Sequence, residues 1–305
     1  MTRRSFFRAV VLLTLCLTWF SAPSADAGPL AVTTSTDAAA LVNALIATNA
    51  GITVVAGSAS YTGATTASGF FSGGDGILPF PSGIVLTTGN APFVIGPNNA
   101  TNAGVPNGAA GDARLSSIIG TETNDASVLQ FRFTSTQNTI SFQYVFGSEE
   151  YNEFVGSQFN DVFAFDLNGN NIALVPGTST AIAINNVNNG ANSSLFTDNT
   201  AGGLDTQLDG LVGVQTSLFA TGTVNTGTAE NTIRIAIADT SDEILDSAVF
   251  LRAGSFVAGP PVIIPPPDQQ PPPPPAAVPE PMTLTLLGSG MTAIALLKRK
   301  WSANR

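Results

Sequence analysis

Apolar residues alternate with polar ones along much of this chain, most strongly between positions 139 and 167. Phe142, Tyr144 and Phe146 share one face of an extended segment, and Phe163, Phe165 and Leu167 share one face of the next. A period of two carrying this much aromatic side chain predicts strands with a buried face. The same reading gives strands over 52–55, 83–88, 128–134, 139–146, 172–175, 181–184, 211–220, 232–238 and 247–256. It joins 128–134 to 139–146 as a hairpin and turns Ile233, Ile235 and Ile237 toward the core. One segment departs from the pattern. Thr36-Asp37 caps a run in which Leu41, Val42, Leu45 and Ile46 recur at helical spacing, the only substantial helix predicted. Gly69, Gly73, Gly74 and Gly76 mark turns, since no lysine follows them as a phosphate loop requires. Residues 90–112 read as a long irregular loop.

Composition narrows the fold. Of 305 residues, 44% are hydrophobic and only 10% charged, enough apolar surface for one large core. Gly, Thr, Asn and Ser favour strands and tight turns, so the expected fold is all-β, a single jelly-roll-like β-sandwich with one short N-terminal helix.

Charge and chemistry exclude whole classes of function. Between the two ends the only basic residues are Arg114, Arg132, Arg234 and Arg252, against 19 acids once Asp26 and Glu280 are set aside from the 21. Such a field repels phosphate backbones, so nucleic acid is not an expected partner. The chain has no histidine, which removes serine–histidine triads and the usual transition-metal sites. Its one cysteine, Cys16, lies in an N-terminal apolar run.

That run belongs to an export signal. Arg3, Arg4 and Arg8 precede an apolar stretch from Val10 to Phe20, and Ala25 and Ala27 frame a small-residue cleavage site, giving a signal peptide over 1–27. Thr2 to Arg8 also resembles a twin-arginine signal, which leaves the export route open. At the other end, prolines dominate a linker over 259–277, and an apolar run over 282–297 precedes Lys298, Arg299 and Lys300. Sixteen residues are short for a permanent span, which fits transient insertion into the inner membrane.

Two acidic connections hold the candidate chemistry. Glu149, Glu150 and Asp161 flank one, and Asp239, Asp242 and Asp246 fill the other. Hard oxygens gathered this way suit calcium, although carboxylates that cap turns or keep a surface soluble give the same composition. Paired carboxylates also suit a glycoside hydrolase, but Trp19 and Trp301 fall in the removable ends and leave Tyr61, Tyr144 and Tyr151 as the aromatics for a sugar.

Several runs, taken in order, resemble the choice-of-anchor L domain: 82–89, 111–113, 124–129, the acidic connection after Phe146, 171–178, 184–188 and 238–251. The resemblance covers roughly 32–257 and implies an exported surface or matrix domain, within the boundaries 28–258. Pro279, Glu280 and Pro281, the apolar run and the basic cluster, over 278–300, are similar to the PEP-CTERM sorting signal. That likeness implies an exosortase partner in a diderm bacterium that makes exopolysaccharide. The resulting expectation is a structural or adhesive module, not an enzyme, at the cell surface or in the extracellular matrix. The alternatives are a calcium-stabilised carbohydrate-binding module and a carboxylate-dependent hydrolase.

Overall fold

The computed structural model describes residues 29–100 and 102–261. The expected signal peptide with Ala25 and Ala27 lies outside the described residues, as do the linker beyond 261, the 282–297 run, and Pro279, Glu280, Pro281, Lys298, Arg299 and Lys300. Among the described residues no helix is long and apolar enough to cross a membrane.

The described chain runs β1 (Ala31–Thr34), α1 (Ala38–Leu45), β2 (Ile52–Val54), β3 (Ser60–Thr62), β4 (Ser68–Ser72), β5 (Gly83–Thr87), α2 (Ala113–Ile119), β6 (Thr123–Ser135), β7 (Thr139–Ser148), β8 (Val162–Leu167) and β9 (Asn170–Asn171). It continues with β10 (Phe196–Asp198), β11 (Gly210–Val212), β12 (Leu218–Thr223), β13 (Asn231–Thr240), β14 (Ser247–Arg252) and β15 (Val257–Ala258). One sheet has the order β1-β4-β5-β14-β7-β11-β10, with β12 and β15 also on β7; the other has the order β2-β6-β13-β8-β9, with β3 also on β6. Every named strand pair is antiparallel. The two sheets form the expected all-β sandwich.

Aromatic strand faces meet in the middle. Phe131 and Phe133 of β6, Phe142, Tyr144 and Phe146 of β7, and Phe163 and Phe165 of β8 form one core with Ile233, Ile235 and Ile237 of β13. The ring of Phe165 lies 4.8 Å from Phe142 and 5.0 Å from Tyr144, the edge-on spacing that aromatic quadrupoles favour. Leu41, Val42 and Leu45 of α1 join this core, and Asp37 caps the helix by accepting from Ala40 N at 3.0 Å.

The anticipated hairpin is corrected. β6 and β7 are both strands, but they lie in different sheets, so the link over 136–138 crosses the sandwich instead of folding back. This crossing lets Phe131 and Phe133 face Phe142 across the core, where a hairpin sets its two aromatic rows side by side. A second helix, α2, was not foreseen. Its pattern is weak because Leu115 is its only fully buried side chain, but its signals are complete: Asp112 accepts from Arg114 N and Leu115 N, and Gly120 closes it at φ +82°. The expected strands over 172–175 and 181–184 reduce to single bridges, Leu174 with Ala181 and Val162 with Ala183. The strand over 211–220 breaks into β11 and β12 at Gly213, whose φ of +99° suits a residue without Cβ.

Both sheets are covered on their outer faces as well. Phe80 and Leu208, on connections, pack over Phe71, Val145, Leu211, Ala248 and Phe250 of one sheet. On the other sheet, Leu115 and Ala183 cover Ala164, Ala236 and Ala238. That cover is why β7, β8 and β14 are buried along nearly their whole length instead of at every second residue.

Candidate functional site

The antiparallel registers bring the ends of five strands, β6, β7, β8, β13 and β14, to one rim. Ser247 opposes Ser148, Ala238 opposes Val162, and Asp239 opposes Asn124. The residues just beyond or beside these pairs are Glu149 and Glu150, Asp161, Asp239 and Asp246, and Asp125. Asp239 follows a register shift in the β13–β6 pairing, an irregularity of the kind that re-aims a side chain.

All six carboxylates are inside the protein: Glu149 and Asp246 are 0% exposed, Asp161 and Asp239 1%, Glu150 and Asp125 2%. Five of the six expected metal-binding residues are therefore brought together and buried. Asp242 is not; it sits half-buried at the edge, where its charge still acts on Glu150 and Asp161. Asp125 was missed by the sequence reading. Its signal was an Asn-Asp pair at the start of a strand, and the structure holds it at φ +46°, a conformation that Asp tolerates better than most residues.

One segment seals the cluster. Ala103 N donates to Glu149 Oε2 at 3.2 Å, Val105 N to Asp246 Oδ2 at 2.9 Å, Asn107 N to Asp125 Oδ2 at 2.7 Å, and Ala109 N to Asp125 Oδ1. Every second amide of this stretch thus points at a carboxylate, and Gly108, at φ +61°, turns the chain so that Asn107 and Ala109 reach the same one. Asn107 also donates its side-chain amide to Thr88 O at 2.7 Å. Asp161 is served from elsewhere, by Thr240 N at 2.9 Å and Ser247 Oγ at 2.7 Å.

The remaining oxygens have no partner. Both oxygens of Asp239, Oδ1 of Asp246, Oε1 of Glu149 and Oε2 of Glu150 are buried without a hydrogen bond. The Thr88 hydroxyl, which accepts from Ser247 N at 2.9 Å, lies near Asp239 and keeps its own O–H to turn toward it.

Burial, with the neighbouring charges of Asp209 and Asp246, pushes Glu149 up to about 8. Burial and the charge of Asp161 also push Asp246 up to about 8, against the lowering effect of Val105 N. Asp239 is driven well above the carboxylate range by burial and by Asp161, Asp246 and Asp125. Glu150 and Asp161 are raised by burial first. Asp209, also overlooked in the sequence, rises to about 6 through burial, although Asn98 Nδ2 donates to it at 2.7 Å.

No cation balances this charge. Among the described residues, Arg114 pairs with Asp166, Arg132 with Glu230, Arg234 with Asp112 and Asp166, and Arg252 Nη1 donates to Gln143; no ion pair reaches the cluster. Among the same residues, no group of three or more Asp and Glu side chains is already spaced to hold a metal ion. The tyrosines considered for sugar stacking are mostly internal. Tyr144 is in the core, and Tyr151 is buried with its hydroxyl donating to Val187 O at 2.7 Å, which leaves only Tyr61 half-exposed.

A family model described as the Choice-of-anchor L domain matches residues 31–257. No curated protein and no solved structure matches the chain.

Proposed function

The chain belongs to the choice-of-anchor L family, and from that premise we propose that it is a bacterial surface protein that serves as a structural or adhesive module of the extracellular matrix. The observation that carries this reading is the extent of the match: residues 31–257 span the whole sandwich. The likeness of 278–300 to a PEP-CTERM signal supports processing by an exosortase and release among exopolysaccharide. A passive role is supported by the chemistry. The chain has no histidine, and its clustered acids lie beneath the 103–109 segment instead of in an open cleft. A hydrolase needs its carboxylates on either side of a bound sugar, and a carbohydrate-binding module needs aromatic faces turned to solvent.

Intact-mass analysis of the protein from fractionated cells tests this reading. The expected species is in the surface or matrix fraction and lacks residues 1–27 and those after about 281. Retention in the cytoplasm with Lys298 to Arg305 intact would overturn it. A deletion strain should also shed more matrix polysaccharide into the medium than its parent.

A further inference from the structure

Asp239 sits among charges that the protein's own groups relieve only in part. It is 1% exposed, neither of its oxygens has a hydrogen-bond partner, and the ionisable groups acting on it are Asp161, Asp246 and Asp125. A proton removes its charge, and Asp161 lies close enough to accept the new O–H, but that leaves the neighbouring carboxylates unrelieved. Asp246 Oδ1 and Glu150 Oε2 are equally unpartnered. Buried carboxylates without a counter-ion are among the most costly arrangements in a folded chain. The described residues contain no lysine or histidine, and their four arginines are all engaged elsewhere.

We propose that Asp239, Asp246, Asp161 and Glu150 form a calcium site beneath the 103–109 segment. The unpartnered oxygens of Asp239, Asp246 and Glu150, with the Asp161 carboxylate that Thr240 N and Ser247 Oγ hold in place, are hard donors, the kind calcium takes in sets of six to eight. Calcium accepts irregular shells at about 2.3–2.6 Å, whereas magnesium demands a near-octahedral shell at about 2.0–2.1 Å and sheds water reluctantly. Zinc has neither thiolate nor imidazole here. The carboxylates are not yet spaced as a closed shell, so the ion draws them inward. Glu150 and Asp246 stand on connections outside the strands, where that movement does not break the sheets. The amide of Val105 already holds Asp246 Oδ2, so it orients that carboxylate from above.

The test uses the purified protein stripped with EGTA and dialysed against radioactive calcium. One ion per chain is expected, with saturation below about 10 mM, the weak end of extracellular calcium modules. Calcium at a hundredfold excess over its dissociation constant should raise the melting midpoint by about 5–10 °C, and magnesium at the same concentration by less than about 1 °C. Asp239→Asn keeps size and removes one charge, so it should fold in chelator yet bind calcium at least about tenfold more weakly. Glu122→Gln, at an exposed position, should bind like the parent. If Asp239→Asn does not fold, Asp246→Asn is held to the same tenfold criterion. No binding by the parent protein up to about 10 mM, an equal midpoint shift with magnesium, or unweakened binding by a folded variant would each overturn the site.

Discussion

On the outer face of β8 and β13, Asp166 and Asp112 meet Arg114 and Arg234; at the rim, six buried carboxylates meet no cation among the described residues. The first group lies on one sheet and the second spans the ends of both, yet both are made of residues that a composition count treats alike. The outer cluster carries its own counter-charge, although Arg234 Nη1 is buried without a hydrogen bond. Arg114 reaches Asp166 at 3.1 Å and donates to Gly169 O, while Arg234 ties α2 to the sheet through its cap residue Asp112. The rim cluster is met by neutral donors, the amides of Ala103, Val105, Asn107, Ala109 and Thr240 and the Ser247 hydroxyl, and those leave oxygens over. Net charge therefore predicts little about a cluster; whether its counter-charge is covalently part of the chain predicts a good deal.

The sharpest separation of the two clusters is a pH series in chelator. Glu149 and Asp246 have folded values near 8, above the roughly 4 of an unfolded carboxylate. The folded chain thus binds more protons than the unfolded one, and stability falls as pH rises. It is fully present below about pH 4 and is lost as pH climbs through about 8. Several groups titrate together, so this is the largest effect expected, seen as a falling urea midpoint between about pH 5 and 9. Calcium should flatten the curve, and a flat curve in chelator would mean the rim acids are not buried in solution.

Breaking the balanced cluster should cost less. Arg234→Met strips one partner from Asp112 and Asp166, whose side chains are 16% and 6% exposed. Removing one member of a partly buried pair is expected to lose about 2–3 kcal/mol in urea unfolding, with calcium making no difference. A calcium-dependent loss would mean that the two clusters are coupled.

The smallest effect sharpens the role of the sealing segment. A Cβ on Gly104 would lie 1.7 Å from Ile244 O, a backbone atom that cannot rotate away. Gly104→Ala is expected to cost about 1–3 kcal/mol and to speed hydrogen exchange at Val105 and Asn107, whose amides face the acids. Unchanged exchange there would show that the segment is held by something other than its carboxylate bonds.

Much of this was legible in the sequence, for identifiable reasons. The period of two fixes which of Phe142, Tyr144, Phe146, Phe163 and Phe165 point inward, and the structure puts all five in the core. The period does not say which sheet a strand joins, so β6 and β7 read as a hairpin although each pairs elsewhere. Glu149, Glu150, Asp161, Asp239 and Asp246 were recognisable as a set because they lie next to strong strands. Their depth was not recognisable, because it depends on the 103–109 segment, whose Asn, Gly, Pro and Ala residues carry no periodic signal. Asp125 was hidden for the same reason: its partners, Asn107 and Ala109, lie in that segment.

The pairing of β7 has a mechanical side. β14 and β15 lie along one edge of it, from Ser247 opposite Ser148 to Ala258 opposite Ile140, while β5 grips the other edge of β14 from Ala248 to Arg252. A pull at residue 261, directed along the strands, first loads β15, a two-residue strand with one neighbour. It then reaches β14, a six-residue strand clamped on both edges, whose hydrogen bonds lie across the pull and share the load in shear. The domain therefore meets tension with a short compliant stretch followed by a stiff grip, so a small extension comes before resistance.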